Sequence, residues 1–208
     1  MIKQSFKTDQ ETFWAGEFGN QYINRNASAY LIASNIHLFS KILSNAETVR
    51  SVIEFGPNIG LNLLAIRSLI PDIELSGIEI NSKAYNELKD IPGLKGYNTS
   101  ILDFNTDYKR DLVLAKGILI HINPNELQSI YKKMYEASSK YVCIAEYYNP
   151  TPVEVLYRGH AGRLFKRDFA GEMLDLFKDL KLINYGFVYK RDTLFPQDDV
   201  TWFLLKKS

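Results

Sequence analysis

Glu54, Gly56, Asn58 and Gly60, at alternate positions of "VIEFGPNIG" (52–60), are the first residues of the chain whose types and spacing suit chemistry. An apolar run ends on an acid and breaks into Gly, Pro, Asn and Gly before the helical-looking "LNLLAIRSLI". A glycine-spaced loop between a buried strand and a helix lets the backbone approach a nucleotide-like ligand closely. A dinucleotide fingerprint would need glycine at 56, 58 and 61, but the chain has Gly56, Asn58 and Leu61, so the spacing argues against a nicotinamide cofactor. After glycine, asparagine is the residue that best tolerates positive φ, which makes Asn58 a physically mild replacement within the loop. Glu79, in "GIEIN", follows at the interval, roughly twenty residues, where a carboxylate accepts both hydroxyls of a ribose. An ordinary tight turn for the loop and a solvated strand-end acid for Glu79 are the readings without a ligand.

These residues need a frame to hold them, and the pattern supplies one. Apolar spacing predicts a helix over 21–43, a buried strand over 51–55, and a helix from Leu61 to about Ile70, stopped by Pro71. Strands follow at 73–80, near 95–99, at 111–115 and at 140–146, with helices at 82–90 and 123–138, the latter opening on Asn123 as N-cap and Pro124 as first helical residue. Such alternation implies a doubly wound, mostly parallel α/β sheet, which binds ligands beyond the carboxyl ends of its strands where strand order reverses. The order breaks in the turn-rich segment 147–168, read as a substrate-loop insertion. A helix at about 169–178 and strands at 181–190 and 199–206 then read as a terminal antiparallel hairpin. The 208 residues form one expected domain, with 1–45 as a helical lid or cap.

Composition excludes several classes. Formal net charge is +1 and the basic residues are scattered, so no phosphate-backbone footprint is present. No stretch approaches 18 consecutive apolar residues, and the polar N-terminus has no apolar h-region, so a soluble cytoplasmic protein without a membrane partner is expected. The lone Cys143, in "YVCIAEY", reads as a buried inert thiol. The acidic pair Asp198 and Asp199 gains no His or Cys neighbour, so no metal is expected.

The E-x-G-x-N-x-G loop resembles the first motif of class I S-adenosylmethionine-dependent methyltransferases, with Asn58 in place of a glycine. That resemblance gives Asp103, in "TSILDF", the place of the acid that meets the adenine amino group, while Trp14 and Lys116 join the expected cofactor-binding set. "AKGILIHINP" (115–124) resembles the corresponding stretch of small-molecule members and lacks the N/D-P-P-Y of exocyclic-amine nucleobase methylases. Over most of the chain, "FWAGEFGNQYINRN" (13–26), "KGILIHINP" (116–124), "AEYYNPTPVEVLYRGHAGRLFKRDFAGEMLD" (145–175) and "FPQDDVTWFLLKK" (195–207) look like the pseudaminic acid biosynthesis-associated methylases. The resemblance implies a Rossmann-like methyltransferase that consumes S-adenosylmethionine, releases S-adenosylhomocysteine and acts in a bacterial nonulosonic acid pathway. A sugar acid or its nucleotide-activated form is the expected partner, methylated on an amidino or amino nitrogen ahead of oxygen. A catalytically silent binding module and a flagellin protein methyltransferase are the alternatives, and a homo-oligomer is compatible with both.

Methyl transfer asks the protein chiefly for alignment and exclusion of water. His121, after the fourth strand, suits a general base by its ordinary pKa, or else caps and bonds the adjacent loop. Glu146 and Tyr147, ending the fifth strand, complete the candidate catalytic set; Glu146 would bind an amidinium or pair with an arginine. Tyr148, Asn149, Arg158, His160, Lys166 and Arg167 of the insertion, with Asp198 of the last loop, form the candidate substrate-binding set. Arg158 is foremost as a bidentate partner for a carboxylate or phosphate, against the alternative of a solvated basic stripe. Aromatics and glycines around Phe13, Trp14, Gly16, Phe18 and Gly19 suit a lid over the cofactor or a helix packed on the core.

Overall fold

The computed structural model describes residues 6–23 and 29–208. Its centre is a seven-stranded sheet of order β3-β2-β1-β4-β5-β9-β8. The strands are β1 (Ser51–Phe55), β2 (Glu74–Ile78), β3 (Leu94–Tyr97), β4 (Arg110–Lys116), β5 (Ser138–Glu146), β8 (Leu180–Val188) and β9 (Val200–Lys207), and a separate two-stranded ribbon joins β6 (Val153–Glu154) to β7 (Phe165–Lys166). The first five strands pair in parallel, while β9 runs antiparallel between β5 and β8. Strand order reverses between β1 and β4, which leaves a crevice at their carboxyl ends.

The helices are α1 (Asp9–Ala15), α2 (Glu17–Ile23), α3 (Ala29–Leu43), α4 (Leu61–Leu69), α5 (Ser82–Leu88), α6 (Leu127–Ala137) and α7 (Phe169–Leu176). Both sheet faces are covered, so the central strands read as near-continuous apolar runs rather than alternating ones. Ile53 and Phe55 of β1 enter a core shared with α6 and α7, and Val52 enters one shared with α3 and α4. Glu54 therefore points to the α3 and α4 side from inside a strand that is otherwise wholly apolar at its buried positions.

The expected order of elements is present, with three adjustments. The helix expected at 21–43 is α2 followed by α3, and residues 24–28 of it lie outside the described residues. Helix 123–138 begins as a short 3-10 turn at Pro124–Glu126, since the Asn123 side chain accepts from Asn125 N and closes a tight Asx turn before α6 starts. The segment 147–168 is not turns alone, because Val155 N donates to Leu164 O next to the β6–β7 ribbon.

The loop between β1 and α4 bears the strain that positions the crevice. Gly56, Asn58 and Gly60 have φ of 73°, 52° and 85°, so Asn58 occupies the left-handed region as its type allows. A Cβ on Gly60 would lie 2.6 Å from Ile91 Cδ1 and 2.9 Å from Leu88 Cδ1. Gly60→Ala combines positive-φ strain with that crowding and is expected to destabilise the fold by about 1–3 kcal/mol. The measurement is the urea midpoint at unchanged m-value.

Candidate active site at the strand ends

Two abutting cavities occupy the crevice. The narrower is walled by Gly56 and Asn58 from the first loop, Glu79 to Asn81 beyond β2, Ser100 to Leu102 beyond β3, Gly117 and Ile118 beyond β4, and Trp14 from α1. The wider, about 600 Å³, is walled by Asn62, Lys116, Glu146 and Tyr147, by Tyr157 and Arg158 of the insertion, and by Gln197 and Asp198 before β9. Tyr22, Gly56, Asn58, Gly117 and His121 line both, so the two cavities adjoin along these residues.

Glu79 organises the narrow cavity. Its carboxylate accepts from Asn58 N at 2.9 Å and from Asn81 N at 2.7 Å, and its backbone N–H donates to Tyr97 O. Each carboxylate oxygen retains a lone pair for a further donor such as a ribose hydroxyl. Asn81, unremarked in the sequence beyond its place before a helix, caps α5 through Lys83 N and Ala84 N. Its amide donates to Trp14 O at 3.1 Å and Asn20 Oδ1 at 3.0 Å, which ties α1 and α2 over the cavity. The Trp14 indole Nε1, buried there, has no partner among the described residues.

A second clasp joins the N-terminal helices to the insertion. Gln10 donates to Gly162 O at 2.9 Å, and Phe13 packs edge-on against His160 at 5.1 Å. Trp14 lies 4.5 Å from the His121 ring, with Tyr157 4.9 Å away on that ring. Burial, partly offset by the Arg163 contact, pulls the His121 pKa down to about 4. Its Nδ1 sits 2.6 Å from Arg163 O, and a carbonyl can only accept, so Nδ1 carries the proton and Nε2 holds the lone pair. The ring is thus a neutral acceptor of fixed tautomer, and a weaker base than its ordinary pKa suggests.

Three carboxylates are buried at the strand ends. Burial pushes Glu54 and Glu79 each up to about 7 and Glu146 up to about 8, against partial relief by hydrogen bonds. Glu54 accepts from Asn62 Nδ2 at 2.6 Å through one oxygen, and its other oxygen is unpartnered among the described residues. Glu146 accepts from Ile118 N at 2.9 Å and Leu119 N at 2.8 Å through Oε1, which caps the turn bearing His121. Burial also lowers the pKa of the Lys116 ammonium and raises that of the Tyr147 hydroxyl.

Of the residues singled out in the sequence, Trp14, Gly56, Asn58, Glu79, Lys116, His121, Glu146, Tyr147, Arg158 and Asp198 line one or both cavities. Glu54 stands behind Asn62, and Gly60 shapes the loop from beneath as the residue preceding α4. Asp103 does not reach the wall: it is half exposed and pairs with Lys7 at 2.6 Å, while Ser100, Ile101 and Leu102 take the place expected of it. That acid stands one residue past the last of the three that line the cavity. His160 serves the clasp through Phe13 and Phe18. Tyr148, Asn149, Lys166 and Arg167 lie off both cavities: Asn149 bonds Thr151, Lys166 lies over the Tyr147 ring, and Arg167 pairs with Glu172 at 2.6 Å.

No family model matches the sequence, and no curated protein does. Solved structures match by fold. The plantazolicin methyltransferase BpumL, in complex with a pentazolic desmethylPZN analog and SAH, superposes with a TM-score of 0.66 at 12% identity, over 96% of this chain and 94% of that one. Magnesium protoporphyrin IX methyltransferase (ChlM) from Synechocystis PCC 6803 with bound SAH gives 0.69 at 11% identity, over 96% and 100%. The N-methyltransferase NodS from Bradyrhizobium japonicum WM9, in complex with SAH, gives 0.65 at 14% identity, over 90% and 97%. The chain has the Rossmann-like methyltransferase fold of these structures, with its mostly parallel seven-stranded sheet and terminal antiparallel pair. Among the described residues no helix is long and apolar enough to cross a membrane.

The buried carboxylates set the pH dependence of stability. A carboxyl whose folded pKa exceeds its unfolded value keeps its proton longer when folded, so stability falls as pH rises through that interval. His121, depressed to about 4, acts in the opposite sense, but only below its unfolded pKa near 6.5. Between pH 6.5 and 8.5 His121 no longer contributes, and the three raised acids lower the urea midpoint as pH rises, opposed by the one buried ammonium with a lowered pKa, Lys116, so a net fall is expected. Glu79→Gln and Glu146→Gln should each flatten that slope.

Proposed function

We propose that the chain is an S-adenosylmethionine-dependent methyltransferase acting on a small polar acceptor, a bacterial nonulosonic acid or its nucleotide-activated form. The observation that carries the reading is the pair of abutting cavities at the switch point of this sheet, the narrow one walled by the first loop, Glu79 and Ser100 to Leu102. Those residues fit the cofactor's adenosyl half: Glu79 offers lone pairs to a ribose, Ile78, Ile101 and Leu102 offer an apolar slot, and the orphaned Trp14 Nε1 offers a donor. When bound, S-adenosylmethionine would supply an electrophilic methyl group. The protein's own part is alignment and exclusion of water, which the N-terminal helices and the insertion serve by closing on each other above His121. The fold neighbours crystallised with SAH support the cofactor.

The acceptor reading rests on the long stretches resembling the pseudaminic acid-associated methylases. Those at 145–175 and 195–207 contribute Glu146, Tyr147, Tyr157, Arg158, Gln197 and Asp198 to the wider cavity, which suits a ligand rich in hydroxyls and charge.

Two measurements test this. Calorimetry should show S-adenosylhomocysteine binding one site, weakened at least about tenfold in Glu79→Ala, because both the ribose acceptor and the tie to the first loop are removed. Absence of binding to the native protein would end the proposal. Mass spectrometry of nonulosonic acids and their nucleotide conjugates incubated with methyl-deuterated S-adenosylmethionine should find one labelled methyl on a sugar. Label in protein alone would favour a protein acceptor.

A further inference from the structure

Glu146 carries one oxygen more than the fold uses. Only 2% exposed, it spends Oε1 on two backbone N–H groups, while Oε2 has no partner among the described residues. The residue lines the wider cavity beside His121 and Tyr147. A buried carboxylate oxygen without a donor is costly, and such a cost is recovered when a ligand brings the missing N–H or cation. Among groups that a methyl acceptor offers, a nitrogen cation satisfies it best, since a charge-assisted N–H bond to a carboxylate is about twice as strong as a neutral one.

Resting on the methyltransferase reading above, we propose that Glu146 Oε2 is the receptor for the acceptor's nitrogen, and that the substrate class is an amine or amidine methylated on that nitrogen. The charged and titratable groups around the same cavity, besides Glu146, are Tyr22, Lys116, His121, Tyr147, Tyr157, Arg158, Lys190 and Asp198. Lys190 is already engaged by Asp199 at 3.3 Å, and Asp198 is exposed at the mouth, which leaves Glu146 as the carboxylate lining the buried end. His121, neutral and weakly basic in its buried place, is the poorer partner for a cation's proton, and the raised pKa of Glu146 makes it the better one.

The step balances on this residue. Glu146 takes one N–H proton, becoming a carboxylic acid as the cation becomes a neutral nucleophile. The nitrogen then bonds the methyl carbon while the carbon–sulfur bond breaks with its electron pair left on sulfur. The methylated nitrogen keeps the positive charge, and Glu146 returns its proton to water.

The experiment compares benzamidine with its neutral isostere benzamide on the protein saturated with S-adenosylhomocysteine, by titration calorimetry or ligand-observed NMR. Benzamidine is expected to bind at least about tenfold more tightly to the native protein. Glu146→Gln keeps an Oε1 acceptor for Ile118 and Leu119 but puts an NH2 in place of Oε2. It should therefore retain S-adenosylhomocysteine affinity and thermal stability while losing the preference, and Asp175→Asn, which removes an exposed carboxylate of α7 away from both cavities, should keep it. Equal affinity for the two probes, binding of neither, or a preference that survives in Glu146→Gln would overturn the proposal. Failure of S-adenosylhomocysteine to bind the native protein would instead overturn the methyltransferase reading beneath it.

Discussion

The site depends on one buried carboxylate, Glu79, being held by two backbone N–H groups from opposite sides. The bond from Asn58 N draws the glycine-spaced loop down onto the end of β2, and the bond from Asn81 N sets the residue that caps α5. Asn81 then reaches Trp14 O and Asn20 Oδ1 with the other end of its side chain. Loop, strand, helix α5 and the N-terminal helices are joined through five residues, Asn58, Glu79, Asn81, Trp14 and Asn20, and the narrow cavity lies beside them.

The burial of acids around this arrangement costs desolvation. Glu54, Glu79 and Glu146 are all withdrawn from water at the carboxyl ends of β1, β2 and β5, and none is neutralised by a close ion pair among the described residues. Dehydrated acids held by preformed donors characterise sites that recover their desolvation when a ligand arrives. The clasp above them, Gln10 on Gly162 and His121 on Arg163, is made of single hydrogen bonds and ring contacts between segments distant in sequence. Such contacts open at lower cost than the sheet beneath.

Much of this frame was legible in the residues. The alternation of buried strands with helices dictated the parallel sheet because both periodicities are local properties of the chain, and Pro71 and Asn123 marked boundaries by their own stereochemistry. The strain at Gly56, Asn58 and Gly60 was readable for the same reason, as was the position of Glu79 at a strand end. Asp103 shows the limit: its order after the third strand was correct, yet the chain turns its side chain outward to Lys7 and offers Ser100 to Leu102 instead. Spacing along a loop does not specify which side chain faces inward.

Sequence alone determined the class of fold, the place of the crevice and the residue types beside it, since these follow from local propensity and from the handed rules of parallel sheets. Tertiary structure alone decided which candidates meet. It brought residues 10–14 against 157–163, left Tyr148, Asn149, Lys166 and Arg167 off the cavity walls, fixed the tautomer of His121 and stranded one oxygen of Glu146. Each of those outcomes is set by burial and by partners distant along the chain, and desolvation has no signature in a linear pattern.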